Sequence, residues 1–304
     1  MEQKENSAQT QSAEKQLSPK APKVRGEPFF RYGIAEFLAT AMLIGLALAV
    51  LLPLGLPWLF VFKTQLEYAY NPWSLPKELL WENFSMAWET IQIGQGFINT
   101  LIVCAGAIAC TIPPAAMAGY IFARFQSKYT EIAFYAIMAG YFVPVQMVLV
   151  PLYKMNISLG MTDTLYGLFL PMAAFGIPFW TLIYRSFFRS LPKDLVDAAH
   201  IDGAGETRTF FSVMLPLAAP ATILATILVF IGAWSDYILS LILLNDQNKF
   251  TIQLRVAQFM NAYGTDRMPR YAAALIISAA PTLLLYVLGY RWIIRGTLAG
   301  AIKE

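Results

Sequence analysis

Six long stretches of the chain contain no charged side chain, and this feature limits the possible fold more than any other. An α-helix rises 1.5 Å per residue, so about 20 mostly apolar residues are needed to cross the ~30 Å hydrocarbon layer of a bilayer. The stretches cover residues 37–62, 90–123, 132–153, 164–184, 209–235 and 271–290. Each is long enough for one such helix, so the sequence predicts six transmembrane helices.

The composition of the chain agrees with a membrane location. Of its 304 residues, 57% are hydrophobic and 13% are charged, whereas ordinary soluble domains carry about 25% charged residues. We therefore predict an all-α integral membrane protein with its membrane domain over residues 29–304. Residues 1–28 are polar and lack apolar periodicity, which predicts a disordered cytosolic tail.

The second charge-free stretch is longer than one span requires. Its first part includes Gln92, Gly94, Gln95 and Gly96, which are typical of a segment that precedes a helix rather than of a surface facing lipid. The second helix is accordingly predicted over residues 97–121.

Lysine and arginine residues are distributed unevenly between the two sides of the predicted membrane. Cytosolic segments of membrane proteins carry an excess of these residues. With the N-terminus in the cytosol, fifteen of the 22 lysines and arginines fall on the cytosolic side. We therefore predict that both termini are cytosolic. The same topology places the segment between the fourth and fifth stretches in the cytosol.

That segment, residues 192–216, is too charged to lie in lipid. Residues 191–201 are predicted to form a short amphipathic helix, with Ser190 or Asp194 as its N-cap. Small side chains on one face would let this helix sit deep in a groove of another protein. The predicted apolar face consists of Leu195, Ala198, Ala199 and Ile201.

A turn and a second helix are predicted to follow. Asp202 and Gly203 indicate the turn, because glycine reaches positive φ at a helix C-terminus without cost. The second helix is predicted to run from about Glu206 into the fifth stretch, with a stop or kink at Pro216 and Pro220.

The small and turn-forming residues of this segment follow a fixed spacing. The spacing is carried by Asp197, Ala198, Ala199, Gly203, Val213, Leu215 and Pro216. This arrangement resembles the EAA loop of the permease subunits of binding-protein-dependent ABC importers. Further matches within residues 30–303, including residues 185–192, 234–236 and 295–303, resemble the carbohydrate-uptake branch of these permeases.

The resemblance implies a type I ABC importer transmembrane domain in which the EAA-like segment (residues 189–217) docks on an ATPase. Asp197 stands where the family usually has glutamate, so the charge is kept and the side chain is one methylene shorter. We expect a compensating shift in a basic contact of the partner. The residues implied to couple to the ATPase are Leu195, Asp197, Ala198, Ala199, Ile201, Asp202, Gly203, Ala204, Leu215 and Pro216.

The resemblance also implies the partners of the chain. They are a second, different permease subunit, two copies of a cytosolic ABC ATPase and an extracytoplasmic solute-binding protein, assembled in the lipid bilayer of a bacterial inner membrane. ATP and magnesium would be bound by the ATPase. No nucleic-acid partner is expected.

Residues suited to enzymatic chemistry are scarce. The single histidine, His200, lies in the polar segment rather than in an apolar pocket, and no G-x-x-x-x-G-K-[ST] motif occurs, so the phosphate cradle of a nucleotide site is missing. Cys104 and Cys110 are six residues apart, which does not place them on one helix face as metal ligands. We predict that the chain is not an enzyme and contains no metal site.

Polar and aromatic side chains within spans are costly in lipid and usually face the interior of a helix bundle. Asp236 lies near one edge of the fifth span, where a carboxylate that snorkels to the interface explains it equally well. Gln146 lies deeper, beside a kink predicted at Pro144. The candidate residues of a solute path are Asn99, Tyr141, Gln146, Trp234, Asp236, Tyr237, Asn245 and Gln253.

Together these features predict the permease subunit of an ATP-driven importer for a sugar, an oligosaccharide or a related polyol-bearing solute. The alternative is an ion-coupled secondary transporter, for which inverted repeats and midplane carboxylates would be expected. An intramembrane enzyme would need a convergent nucleophile and base. The spans do not distinguish between the possible solutes.

Overall fold

The computed structural model describes the backbone of residues 34–301 and the side chains of residues 37–290. The predicted tail, residues 1–28, lies outside the described residues. Every regular element in the described range is helical. In chain order the helices are α1 (Ile34–Phe60), α2 (Gln65–Tyr70), α3 (Glu82–Thr90), α4 (Ile93–Arg124), α5 (Lys128–Tyr141), α6 (Val145–Ser158), α7 (Leu165–Ser190), α8 (Asp194–Ile201), α9 (Glu206–Leu217), α10 (Ala219–Trp234), α11 (Ile238–Leu243), α12 (Ile252–Tyr263) and α13 (Met268–Ala301), with short 3₁₀ turns at Gln247–Lys249 and Gly264–Arg267.

The chain divides into two compact units, Met1–Leu52 and Pro53–Glu304. The described part of the first unit is helical throughout and belongs to α1. The second unit contains the last turns of α1 and all of α2 to α13. The sites discussed below lie within this second unit.

Four helical stretches are long and apolar enough to cross a membrane: Phe37–Phe60, Ile93–Arg124, Leu165–Ser190 and Ile252–Tyr290. They correspond to the first, second, fourth and sixth charge-free stretches. Two further pairs qualify only when both helices are counted together: α5 with α6, bent by 96°, and α9 with α10, bent by 73°. The described chain therefore has four helical stretches that could span a membrane, or up to six if each bent pair is one span, and the third and fifth predicted spans are broken rather than continuous.

Prolines explain both bends. Pro144 is extended (φ −63°, ψ 131°) ahead of α6, and the residue before a proline avoids the helical region. At the second bend Ala218 departs from helical geometry (φ −80°, ψ 7°). Pro220 has no N–H with which to continue the hydrogen bonds of α9, so α10 takes a new direction. The kink predicted at Pro216 and Pro220 falls between those two residues.

α4 is longer than predicted. It begins at Ile93 and ends at Arg124, so residues 94–96, which were predicted to precede the helix, form part of its first turn. The residue before it, Gln92, is left-handed with φ 53°. This conformation turns the chain from α3 into α4. The start of the helix is therefore set by a change of chain direction and not by the polarity of its first turn.

α4 and α7 form the central helix pair of the second unit. Their close approach depends on small residues. A Cβ atom at Gly119 would lie 2.5 Å from Tyr184 Cβ, and one at Gly106 would lie 2.5 Å from Phe169 Cδ1. Both distances are shorter than van der Waals contact, so a larger residue would force these groups apart.

α5 is attached to α7 by an ion-pair network. Glu131 of α5 accepts hydrogen bonds from Arg185 and from Arg189, the latter at 3.0 Å. Arg185 is buried, and its Nε donates to the backbone oxygen of Phe122 at 3.2 Å. Its guanidinium carbon lies 3.8 Å from the centroid of the Phe134 ring. One buried arginine thus joins α4, α5 and α7 at the end where the EAA-like segment begins.

Candidate functional site

The EAA-like segment folds as two short helices, α8 and α9, between α7 and α10. α8 begins at Asp194, three residues after the predicted start. Leu191 is extended (φ −79°, ψ 142°) because Pro192 follows it. Both predicted N-caps are wrong: the Ser190 hydroxyl donates to the backbone oxygen of Phe187 at 2.7 Å, and Asp194 is already inside the helix.

A left-handed residue follows the end of α8, as the sequence predicts. Gly203 has φ 78°. Its amide donates to the backbone oxygen of His200 at 3.0 Å, and the amide of Ala204 donates to that of Ala199 at 2.9 Å. These two bonds form a Schellman motif, with Asp202 at the C-cap. The turn between α8 and α9 therefore rests on a conformation that glycine adopts without strain.

α8 has two different apolar faces. Val196 and Ala199 are buried, and Val196 packs in a cluster with side chains of α4, α7 and α9. Leu195, Ala198 and Ile201 are exposed, Ile201 to 87%. The apolar face predicted from the sequence is thus divided, because Ala199 belongs to the buried side.

The exposed face borders a groove between α8 and α9. Most of the groove is formed by small or aliphatic side chains, and Asp202 and Arg208 contribute its charged groups. At the end of α9, Leu215 is half-buried and Pro216 is exposed. The groove is lined by Leu195, Ala198, Ala199, Asp202, Ala204, Arg208, Ser212 and Val213.

Two polar contacts join this segment to α4. Arg124 Nη2 lies 3.3 Å from Asp197 Oδ1, and the Tyr120 hydroxyl donates to Glu206 Oε2 at 2.8 Å. His200 Nε2 lies 3.4 Å from Glu206 Oε1. Sequence reasoning missed Tyr120, Arg124 and Glu206 as site residues. The only local signal is the four-residue spacing of Tyr120 and Arg124, which places both on one helix face.

Asp236 caps α11. Its Oδ1 accepts hydrogen bonds from the amide of Ser240 at 3.0 Å and from the Ser240 hydroxyl at 3.1 Å, and its Oδ2 accepts one from the amide of Leu239 at 3.4 Å. The residue is half-buried in the break between α10 and α11. This capping role is one that neither sequence interpretation, path-lining or snorkelling, included.

Asn99 is buried and holds the 3₁₀ turn between α11 and α12. Its Nδ2 donates to the backbone oxygens of Asn248 at 2.7 Å and Phe250 at 3.1 Å. Asn245 is exposed just before this turn, and Gln253 is half-buried in the first turn of α12. The turn therefore brings these three candidates to one end of α4.

Tyr141 and Gln146 flank the bend between α5 and α6. The ring of Tyr141 stacks on that of Phe179 from α7, with centroids 5.6 Å apart. Gln146 is exposed in the first turn of α6. The structure thus places both candidates at this bend.

Trp234 and Tyr237 take part in packing. Trp234 is fully buried, and its Nε1 donates to the backbone oxygen of Ser278 at 2.9 Å. Tyr237 is half-buried against a cluster that includes Val103 and Leu168. The structure thus places Trp234 in the core, where it stacks on no surface that a solute could reach.

A family profile described as "Binding-protein-dependent transport system inner membrane component" matches residues 115–298 of the chain. The match begins within α4 and includes the whole EAA-like segment.

The chain is also similar to individual proteins. The diacetylchitobiose uptake system permease protein NgcG of Streptomyces coelicolor is 34% identical over 88% of this chain and 87% of its own length. The melibiose/raffinose/stachyose import permease protein MelC of Bacillus subtilis is 32% identical over 79% of this chain and 87% of its own. A chain from the crystal structure of a bacterial ABC transporter involved in alginate import has a TM-score of 0.74 at 19% identity, over 87% of this chain and 99% of that one.

Proposed function

The chain belongs to the family of binding-protein-dependent transport system inner membrane components, which are transport subunits and not enzymes, and we propose that it imports a sugar, an oligosaccharide or a related polyol-bearing solute. The solute class is inferred from two relatives. One is named for diacetylchitobiose uptake and the other for import of melibiose, raffinose and stachyose. Both relatives align with most of this chain.

The exposed face of α8 is the observation that carries the mechanism. Leu195, Ala198 and Ile201 form an apolar surface on a segment predicted to lie in the cytosol. Apolar surface is unfavourable in water, and covering it with another protein removes that cost. The Schellman turn at Gly203 fixes the surface beside the groove between α8 and α9. This shape suits docking on an ATPase through the residues named from the EAA-like spacing.

We infer the rest of the assembly from the family. A second, different permease subunit would complete the membrane path, and two cytosolic ATPase copies would bind ATP and magnesium. An extracytoplasmic solute-binding protein would deliver the solute, and the assembly would reside in the inner membrane of a bacterium. ATP-driven closure of the ATPases would then act on α8 and α9, and through them on the spans.

Among the proposed path residues, those with free polar groups are best suited to a hydroxyl-rich solute. Sugar hydroxyls need donors and acceptors that the protein does not already use. Tyr141, Gln146 and Asn245 are exposed. The side chains of Asn99 and Asp236, in contrast, already form hydrogen bonds with backbone groups of the chain. We therefore propose that the first three contact the solute and that the last two shape the path.

Copurification and uptake test the proposal together. The chain should copurify with an ABC ATPase at fixed stoichiometry, and the assembly in vesicles should take up solute only with ATP and the binding protein present. Uptake that follows an ion gradient without ATP would support the secondary transporter, which family membership does not favour. A ligand screen on the copurifying binding protein, with oligosaccharides and monosaccharides as probes, would identify the solute.

A matched pair of variants tests the docking face. Ile201→Asp places a charge on the most exposed residue of that face and should release the ATPase while the chain remains in the membrane. Leu79→Asp is the control, because Leu79 is also exposed and apolar but lies in a segment predicted on the opposite side. Retention of the ATPase by Ile201→Asp would contradict the docking face.

A further inference from the structure

The EAA-like segment is not connected to α4 in the way that it is connected to α7 and α10. α7 and α10 continue directly into the segment through the backbone. α4 ends far away in sequence: 73 residues separate Arg124 from Asp197, and 86 separate Tyr120 from Glu206. A displacement of α8 or α9 therefore reaches α4 directly through side-chain contacts and not through the backbone of a connecting segment.

The Tyr120 contact is directional and shielded. Its ring is buried between those of Phe188 and Phe210, with centroids 5.7 and 5.2 Å away. The hydroxyl emerges to donate to Glu206 at 2.8 Å. A hydrogen bond to a carboxylate is stronger than one between neutral groups. Because His200 lies 3.4 Å from the same carboxylate, Glu206 connects α4 to the end of α8 as well as to α9.

The Arg124 contact is more open. The side chain of Asp197 is 60% exposed and that of Arg124 is 25% exposed, so this ion pair contributes little to stability. It does fix orientation, because it lies one helical turn beyond Tyr120 on the same face of α4. The two contacts together attach α8, through Asp197, and α9, through Glu206, to the same face of α4.

We propose that Tyr120 and Arg124 are the positioning residues that transmit movement of α8 and α9 to α4. The inference rests on the proposed function, since it assumes that an ATPase moves α8. α4 carries this movement along its length, because it packs closely against α7 at Gly106 and Gly119 and holds the distant 3₁₀ turn through Asn99. Tyr120 and Arg124 thus connect the docking face of α8 with the 3₁₀ turn that Asn99 holds at the opposite end of α4.

Tyr120→Phe tests this directly, because it removes the hydroxyl and keeps the packed ring. The assembly should still copurify with its ATPase and hydrolyse ATP, while solute transported per ATP hydrolysed falls roughly tenfold, the factor expected for one hydrogen bond to a charged group. The matched control is Tyr184→Phe. The Tyr184 hydroxyl, in the same aromatic cluster, donates to Thr222 at 2.9 Å and does not touch the EAA-like segment. In Tyr184→Phe the solute transported per ATP hydrolysed should therefore be unchanged.

Exchanging the charges of Arg124 and Asp197 is a second test of the inference. Arg124→Glu and Asp197→Arg should each lower the transport-to-hydrolysis ratio, and the double variant should restore part of it. A wild-type ratio in Tyr120→Phe, or loss of ATPase copurification in that variant, would overturn the inference. Absence of ATP-driven uptake in the wild-type assembly would instead overturn the proposed function, so the two failures are distinguishable.

Discussion

The carboxylate of Asp163 accepts a 3.0 Å hydrogen bond from the backbone amide of Asp246, 83 residues further along the chain. A second bond of the same length comes from the amide of Asn245, and Lys249 Nζ lies 3.5 Å from Asp163 Oδ2. The linker between α6 and α7 is thereby attached to the loop between α11 and α12.

The 3₁₀ turn in that loop is held at each of its three residues. Arg255 Nη2 donates to the backbone oxygen of Gln247 at 2.6 Å. Asn99 binds the backbone oxygen of Asn248, and Lys249 is paired to Asp163. The turn therefore depends on contacts with α4, α12 and the linker before α7, and it should respond to the loss of any one of them.

Replacing Asp163 should loosen this turn. Asp163→Ala removes two hydrogen bonds to a charged acceptor and is expected to destabilise the loop by about 1–3 kcal/mol. Asp163→Asn should cost less, because it keeps an acceptor and tolerates the left-handed φ of 58° at this position. Hydrogen exchange of residues 245–252 measures the effect, with the exposed Asp266→Ala as the control. Equal protection in Asp163→Ala and wild type would contradict this role.

The carboxylate of Asp163 also makes the stability of the fold depend on pH. Burial alone would raise its pKa, but the amides of Asp246 and Asn245 and the charge of Lys249 hold the pKa of Asp163 below its usual value. A lowered folded pKa adds stability above the unfolded pKa of about 3.9 and loses it as the pH falls through the folded pKa. The stability difference between wild type and Asp163→Ala should therefore be constant from about pH 8 to 5 and shrink below about pH 4. A difference that grows on acidification would have the wrong sign.

Gly119 should tolerate no side chain. A Cβ atom there would lie 2.9 Å from the backbone nitrogen of Arg185, and backbone cannot move aside as a flexible side chain can. Gly119→Ala is expected to destabilise the α4 and α7 pair by about 1–3 kcal/mol. Gly232→Ala, in α10 with no atom near its Cβ position, should be neutral or slightly stabilising. Thermal unfolding of both variants in detergent compares them, and equal midpoints would argue against close packing at Gly119.

The helical spans could be predicted because lipid imposes a local rule on every residue of a spanning helix. The turn at Gly203 could be predicted for a similar reason, since its φ is a property of one residue. The 96° bend between α5 and α6 could not, because Pro144 marks a break but the angle depends on what α6 packs against. The hydrogen bond from Tyr120 to Glu206 could not be predicted either, because neither residue is unusual in its own sequence neighbourhood.

The part of the site that was predicted least well is the assignment of individual side chains to faces. A short helix such as α8 has too few turns for its periodicity to separate Ala199, which is buried, from Ala198, which is exposed. Trp234 shows the same difficulty in a span, because an aromatic residue near a membrane edge fits both an interfacial belt and a core. Only the packing partner, here the backbone oxygen of Ser278, decides between them.

Asp236 should act first as a helix cap. Asp236→Asn keeps the acceptor for the amide of Ser240 and should behave like the wild type. Asp236→Leu removes it and should destabilise α11 by about 1 kcal/mol, seen as faster hydrogen exchange over residues 238–243. Ser240→Ala removes the hydroxyl that donates to Asp236 and accepts from Thr251, but it keeps both backbone bonds to Asp236 and should have a smaller effect on exchange over residues 238–243. Reduced solute transport by Asp236→Leu at unchanged exchange would show that the side chain acts on the solute path instead.

Gly203 and Gly205 provide the sharpest test of the EAA-like segment. Both glycines are exposed, and at neither would an added Cβ meet another atom within 4 Å. They differ in backbone conformation, with φ 78° at Gly203 and φ −73° at Gly205. Valine at Gly203 must adopt a left-handed conformation that costs on the order of 1–2 kcal/mol, whereas valine at Gly205 fits the existing backbone.

We therefore expect Gly203→Val to open the Schellman turn and weaken docking of the ATPase roughly 5- to 30-fold, with the chain still inserted in the membrane. Uptake should be lost, through either release of the ATPase or ATP hydrolysis that no longer responds to solute. Gly205→Val adds the same bulk two residues away and should retain coupled transport. If the two variants lose uptake equally, bulk on this surface rather than the turn conformation is responsible, and if Gly203→Val transports normally, the turn does not position the docking face.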